Sequence, residues 1–96
     1  MASAGVTTVD STGAVIYSDD SSGGCTEFTI HVPAGSTQDA LVNVGGVHDA
    51  GDFFRIPKGS FQAFRAPQHG IKRVTAKGNG GNADVYWGVT DSSYHD

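Results

Sequence analysis

Residues 71–89, IKRVTAKGNGGNADVYWGV, contain two runs of alternating side chains separated by a glycine-rich loop. In the first run Val74 and Ala76 alternate with polar residues, which is the period-two pattern of a half-buried strand. The loop at 78–82 has the Gly and Asn residues that a tight reversal of the chain requires. This stretch therefore predicts an antiparallel β-hairpin. The core-facing residues of its second strand are predicted to be Ala83, Val85, Trp87 and Val89.

Upstream of this hairpin, four further apolar runs are each followed by Pro or Gly, and they cover 28–32, 40–44, 53–56 and 61–66. In the first of these runs Phe28, Ile30 and Val32 alternate with polar residues, which predicts that they form the buried face of a strand. Together with the hairpin, the four runs predict about six strands in the chain after Cys25. Fourteen Gly against a single Leu also favour strands and turns over helices. The predicted fold is all-β, an antiparallel β-sandwich or small jelly-roll-like barrel of about 6–8 short strands.

Residues 1–24 are rich in Ser, Thr, Gly and Asp, and their one apolar run is at 15–17. This segment has too little apolar surface to offset the entropy lost on ordering by itself. It is therefore expected to be either an N-terminal arm that docks on another surface or a flexible leader. Residues 25–96 are expected to form the β-sandwich domain.

The length and composition exclude several classes of protein. The sequence has 96 residues, 38% of them hydrophobic and 17% charged, which fits one small domain and leaves no room for separate cofactor and substrate domains. We expect no membrane partner, since no stretch approaches the roughly 20 apolar residues of a spanning helix. No export signal is recognisable, which favours a protein made and kept in the cytoplasm. Cys25 is the single cysteine, so no intrachain disulfide and no cysteine-based zinc site is expected.

No motif in the sequence identifies a reaction. His48, Asp49 and Asp52 share a glycine-rich loop, but their spacing matches no metal motif, and turn hydrogen bonds are the favoured role of such Asp residues. His31, His69 and His95 are expected on the surface. Serine hydrolase and phosphate-loop signatures are lacking. We therefore expect no catalytic residue, no cofactor and no metal.

Charge is strongly segregated along the chain. All six Lys and Arg residues lie between positions 55 and 77, where no acid occurs, although the net charge is −4. These cations could pair across strands with acids such as Glu27 or Asp84, or they could form a face for an acidic partner. Nucleic acid is not expected as a partner of an acidic chain. The candidate partner-contact cations are Arg55, Lys58, Arg65, Arg73 and Lys77.

Two adjacent aromatic residues in the last strand have different predicted roles. Trp87 shares its face with the core valines, so core burial is favoured, whereas Tyr86 points the other way and is the candidate for an exposed contact. The core itself is expected to be thin, because the chain has few large apolar residues. Small chains without disulfides or metals often gain stability by association. We therefore expect a homo-oligomer.

Residues 42–48, 51–59, 70–78 and 85–89 resemble small β-sandwich structural proteins of tailed-phage particles. The likeness covers about half of the chain, and it consists of short, Gly-rich, Leu-poor strands behind a Ser/Thr-rich arm. It implies a non-enzymatic head decoration or cement protein that oligomerises, often as a trimer, and binds the major capsid protein. The location implied is the virion, assembled in the host cytoplasm. Two alternatives remain: a tail or neck protein, and a carbohydrate-binding adhesion module that uses Tyr86, Tyr94 and the His48 loop.

Overall fold

The structure, a computed structural model, describes residues 2–18, 26–45, 51–65 and 70–90. These residues form eight β-strands, and they contain no helix that could cross a membrane. The strands are β1 (Ala2–Val9), β2 (Ala14–Ser18), β3 (Glu27–Val32), β4 (Ala40–Val44), β5 (Phe54–Ile56), β6 (Ser60–Arg65), β7 (Arg73–Gly78) and β8 (Ala83–Thr90).

The eight strands are divided between two antiparallel sheets. Sheet A has the strand order β1-β8-β3-β6, and sheet B has the order β2-β7-β4-β5. The chain changes sheet at every connection except the one from β4 to β5. This alternation between two four-stranded sheets is the arrangement of a jelly roll. The predicted fold class, an antiparallel sandwich with about 6–8 short strands, is confirmed.

The predicted hairpin at 71–89 is wrong in its pairing. β7 pairs with β2 and β4 in sheet B, whereas β8 pairs with β1 and β3 in sheet A. The loop between them therefore carries the chain across the sandwich, and Gly80 in this loop has a φ of 83°. Alternation cannot distinguish the two arrangements, because both strands bury one face in the same core in either case. A hairpin forms instead between β4 and β5, where Leu41 lies opposite Arg55.

The six strands expected after Cys25 are present as β3 to β8. Their predicted inward faces are also confirmed, since Phe28, Ile30 and Val32 are fully buried. Trp87 is partly buried and packs against the core, as predicted. Alternation along single strands therefore predicted burial correctly even where it failed to predict pairing.

The segment at 1–24 contains β1 and β2. β1 pairs with β8 along its whole length, and β2 pairs with β7 with a register shift between Val15 and Tyr17. Val9 is buried in the core, while Ile16 and Tyr17 pack against it. The described part of this segment thus docks on the sandwich of its own chain. The proposed boundary between residues 24 and 25 lies outside the described residues.

The core lies between the two sheets and is built mainly from small side chains. Among the described residues fifteen apolar side chains are buried, and most of them are Val, Ala or Ile. Three aromatic rings add to it: Phe28 stacks on Trp87 with 5.6 Å between centroids, and Tyr17 contacts both rings. A core of this size leaves a small protein with a modest margin of stability.

Hydrogen bonds of Ser36, in the turn after β3, fix the start of β8. The backbone N–H of Asp84 donates to Oγ of Ser36 at 2.9 Å, and the Ser36 hydroxyl donates to the Gln38 carbonyl at 2.8 Å. Ser36 is buried although it is polar, and these two bonds satisfy its hydroxyl. The position of β8 matters because this strand carries Tyr86 to the surface.

Candidate functional site

The outer surface of sheet A, which we call face A, carries large side chains aligned across all four strands. Val6 on β1 lies opposite Tyr86 on β8. Tyr86 also lies opposite His31 on β3, and His31 in turn lies opposite Phe61 on β6. We call these four residues the outer row. Phe61 is 68% exposed, Val6 63% and Tyr86 45%, so the row is a continuous exposed surface of apolar and aromatic groups.

A groove of about 530 Å³ runs beside the outer row. It forms because the next row across the sheet is made of small residues, with Gly88 opposite Thr29 and Thr29 opposite Ala63. The groove spans β1, β8 and β3, and almost all the atoms that line it are apolar. Its lining residues include Val6, Thr29, His31, Tyr86, Trp87 and Gly88. Such a groove suits an apolar side chain better than a polar ligand.

Gly5 shapes the groove from β1. It lies opposite Trp87, and a Cβ at this position would stand only 2.6 Å from Cζ2 of the indole. The indole therefore packs directly on the backbone of β1 while its other contacts are with Phe28 and Tyr17 in the core. No acceptor among the described residues bonds to its buried Nε1. Trp87 thus links the groove to the interior of the sandwich.

Charged groups of face A lie toward the ends of its strands. At one end, the Thr8 hydroxyl donates to Oδ1 of Asp84 at 2.8 Å. At the other end, Glu27 lies opposite Arg65, with 3.4 Å between Oε2 and Nε. An exposed ion pair of this kind adds little stability. The outer row is therefore flanked by polar groups, as the core of a protein interface is surrounded by a polar rim.

The outer surface of sheet B, which we call face B, carries charge at its centre. Leu41 on β4 lies between Lys77 on β7 and Arg55 on β5. The Arg55 guanidinium donates from Nε to Oδ2 of Asp39 at 2.8 Å, and the backbone N–H of Lys58 donates to Oδ1 of the same carboxylate at 2.9 Å. The Lys58 N–H first, and then the Arg55 guanidinium, hold the pKa of the Asp39 carboxyl below its ordinary value of 3.8. Asp39 thereby ties the start of β4 to β5 and the turn that follows it.

Lys77 has an aromatic neighbour on face B. Its Nζ lies 4.3 Å from the centroid of the Phe53 ring, which is cation–π geometry. Arg73, four residues before Lys77 on β7, is exposed and also takes part in an interaction. These contacts show that cations of face B are engaged within the chain.

The structure does not bring the six predicted contact residues to one site. Four of them, Arg55, Lys58, Arg73 and Lys77, belong to sheet B or the turn after β5, whereas Arg65 and Tyr86 belong to sheet A. The Glu27–Arg65 pair matches the alternative in which cations pair with acids across strands. The exposure of Tyr86 is as predicted. A role of these residues in contacting a partner stays a prediction.

Sequence reasoning missed three members of the outer row. Val6 was assigned to an arm, His31 was predicted only to be on the surface, and Phe61 was given no role. The alignment of these residues with Tyr86 depends on pairing across the sheet. Phe61 lies between polar residues at 60 and 62, a pattern that by itself predicts an inward-facing strand position, so no local signal identifies its exposure.

Several predicted features lie outside the described residues. These are Cys25, His48, Asp49, His69, Tyr94 and His95. Asp52 is described, and its carbonyl accepts a hydrogen bond from Nδ2 of Asn43 at 2.7 Å. The described ranges contain no group of three or more His, Cys, Asp and Glu side chains that could hold a metal ion.

Comparison with known proteins shows a likeness of fold. No family model matches the chain, and no curated protein matches it. One solved structure is 24% identical to this chain, with a TM-score of 0.59. It is described with the words "Bacillus endospore appendages form a novel family of disulfide-linked pili". The match covers 96% of this chain and 87% of the other. It supports a small β fold across nearly the whole sequence, and it carries no link to a phage particle.

Proposed function

We propose that the protein is a non-enzymatic structural subunit that binds other protein surfaces, including further copies of itself. The observation that carries this proposal is the outer row, a band of exposed apolar and aromatic side chains across the full width of sheet A. Contiguous exposed apolar surface of this kind marks interaction sites. Burial of the row in an assembly would also add apolar contact to a chain with a small core.

The likeness to an appendage protein supports the same role. That structure is described as one of pili linked by disulfides, so a similar fold serves there as a building unit. The present sequence has one cysteine, Cys25, which lies outside the described residues. The proposal therefore depends on non-covalent contacts of face A.

The finer form of the proposal is decoration of a phage head, as the sequence resemblance implies. In this form the protein would be a trimer in the virion, assembled in the host cytoplasm, with the major capsid protein as its partner and without cofactor or nucleic acid. The jelly-roll arrangement supports it in general terms, because such domains are common in viral capsids. A tail or neck position fits the same fold. A carbohydrate-binding role is less well supported, since the groove beside Tyr86 offers few hydrogen-bonding groups for a sugar.

Size-exclusion chromatography with light scattering tests the proposal. Over roughly 1 to 100 µM, with reductant present, we expect the molar mass to rise above the 9.9 kDa of one chain. Electron microscopy of the same samples would show whether association stops at a small oligomer or continues into a filament or shell. A folded protein that stays at 9.9 kDa throughout this range would overturn the proposal.

A further inference from the structure

We infer that face A is a two-fold interface between two copies of this chain, in which Phe61 of each copy fills the groove of the other. This inference rests on the proposed function, because it names the partner that the outer row meets. It concerns one contact of the assembly and leaves the sheet edges and face B free for others.

The first argument is that face A carries both a projecting side chain and a groove. Phe61 is the most exposed of the large apolar side chains in the described part of the chain. The groove on the same face is lined almost wholly by apolar atoms. A surface that contains both halves of a complementary contact can pair with itself, since a two-fold axis brings each half to its counterpart. A second copy therefore satisfies Phe61 and the groove together.

The strand order determines which two-fold axis fits. The groove spans β1, β8 and β3, whereas Phe61 lies on β6 at the opposite edge of the sheet. An axis parallel to the strands and between β8 and β3 places β6 of one copy over β1 of the other. The outer row then lies over the outer row, because all four residues are at one level of the sheet. Phe61 meets Val6 of the other copy at the groove, and His31 meets Tyr86.

An axis across the strands leaves the groove unfilled. An axis across the strands would keep β6 over β6, so that Phe61 would lie near Ala63 at the sheet edge and away from the groove. The axis along the strands also keeps like charges of the two copies apart. Asp84 on β8 then lies over β3 of the other copy, and Arg65 on β6 lies over β1 of the other copy. Face-to-face packing of two such sheets is a common geometry, with about 10 Å between them.

The available area predicts a weak to moderate contact. Four strands of about six residues give a face of roughly 19 by 20 Å, or about 380 Å² on each copy, so a dimer buries on the order of 800 Å² in total. This value is below the range of stable specific interfaces and is typical of weak, transient contacts. We therefore expect a dissociation constant in the micromolar range and a dimer that forms and separates with concentration.

A charge-exchange experiment tests the axis directly. Phe61→Lys and Val6→Asp should each weaken self-association at least about 100-fold, because each places a charge in an apolar contact. When the two variants are mixed in equal amounts, they should form a mixed dimer within about 10-fold of the wild-type affinity. In that dimer the introduced lysine faces the introduced aspartate, and the second contact retains the native Phe61 and Val6. Sedimentation velocity measures all of these states.

Val15→Asp is the matched control. Val15 is also an exposed valine on an edge strand, but it belongs to β2 in sheet B. We expect this variant to associate as the wild type does. Circular dichroism on each variant shows whether it is folded, and a mixture is scored only from folded partners.

The outcomes separate this inference from the proposed function. A mixture of folded variants that stays monomeric would overturn the two-fold contact, and so would Val15→Asp weakening association as much as Val6→Asp. Folded single variants that associate like the wild type would overturn face A as the interface while leaving an assembly function in place. A wild-type protein that is monomeric throughout would overturn the proposed function itself.

Discussion

Faces A and B belong to the same sandwich, but they differ in the chemistry of their side chains and in how far these side chains contact other groups of the chain. At the centre of face A, the apolar and aromatic groups of Val6, Tyr86 and Phe61 are exposed to solvent. At the centre of face B, Arg55 bonds to Asp39 and Lys77 lies over Phe53. The side chains of Arg55, Arg65 and Lys77, three of the six cations that dominate the sequence pattern, are thus engaged within the chain. The exposed apolar residues of the outer row are less conspicuous in the sequence than these cations.

Gly5→Ala should lower the free energy of unfolding by disturbing the packing beneath face A. Its effect should exceed that of Asp39→Asn. The added methyl group would overlap the Trp87 indole, so the ring or β1 must move. Such overpacking costs about 1–3 kcal/mol of unfolding free energy. Urea unfolding at a concentration where the wild type is monomeric measures this cost without a contribution from association.

Gly35→Ala provides the control for that measurement. Gly35 lies in the turn after β3, and no atom would lie within 4 Å of its added Cβ. We expect no loss of stability, because the substitution meets open space and restricts the unfolded chain. If Gly5→Ala is as stable as Gly35→Ala, the close packing of Trp87 on β1 is wrong.

Asp39→Asn, on face B, should lower the free energy of unfolding by less than Gly5→Ala does, and by an amount that depends on pH. The folded state holds the pKa of Asp39 below its ordinary value of 3.8, so the charged carboxylate stabilises the fold above that pH. This contribution is lost as the pH falls through the folded pKa. The variant should therefore be less stable than the wild type near neutral pH, and the difference should shrink below about pH 4.

Thermal unfolding of both proteins between pH 2.5 and 7 measures this prediction, as a difference in Tm at each pH. Self-association should be the same for both proteins, since Asp39 is remote from the outer row in the sheet order. A Tm difference that does not vary with pH would contradict the role assigned to the Asp39 carboxylate.

Local sequence patterns predicted much of the fold. Alternation along β3 placed Phe28, Ile30 and Val32 in the core because the side chains of a strand point alternately to its two faces. The same reasoning failed for the connection between β7 and β8, since alternation specifies a buried face and gives no information on the neighbouring strand. β1 was missed because its inward-facing positions include Gly5 and Thr7, which are not recognisably apolar.

The candidate site depended on long-range register and was less predictable. Tyr86 was identified as exposed from its own strand alone. The outer row needs three pairings at once, joining residues as distant in sequence as Val6 and Tyr86. Local patterns in one sequence do not specify that register, whereas the cluster of cations between positions 55 and 77 is directly visible in it.

NMR spectra of the wild-type protein at low and high concentration test the central claim most directly. Amide signals that shift between about 10 and 500 µM report the surface that a second copy covers. The account predicts that these shifts concentrate at Val6, His31, Phe61 and Tyr86 and leave Val15, Leu41 and Asn43 unchanged. Shifts concentrated on β2, β7 and β4, with β6 and β1 unaffected, would contradict it.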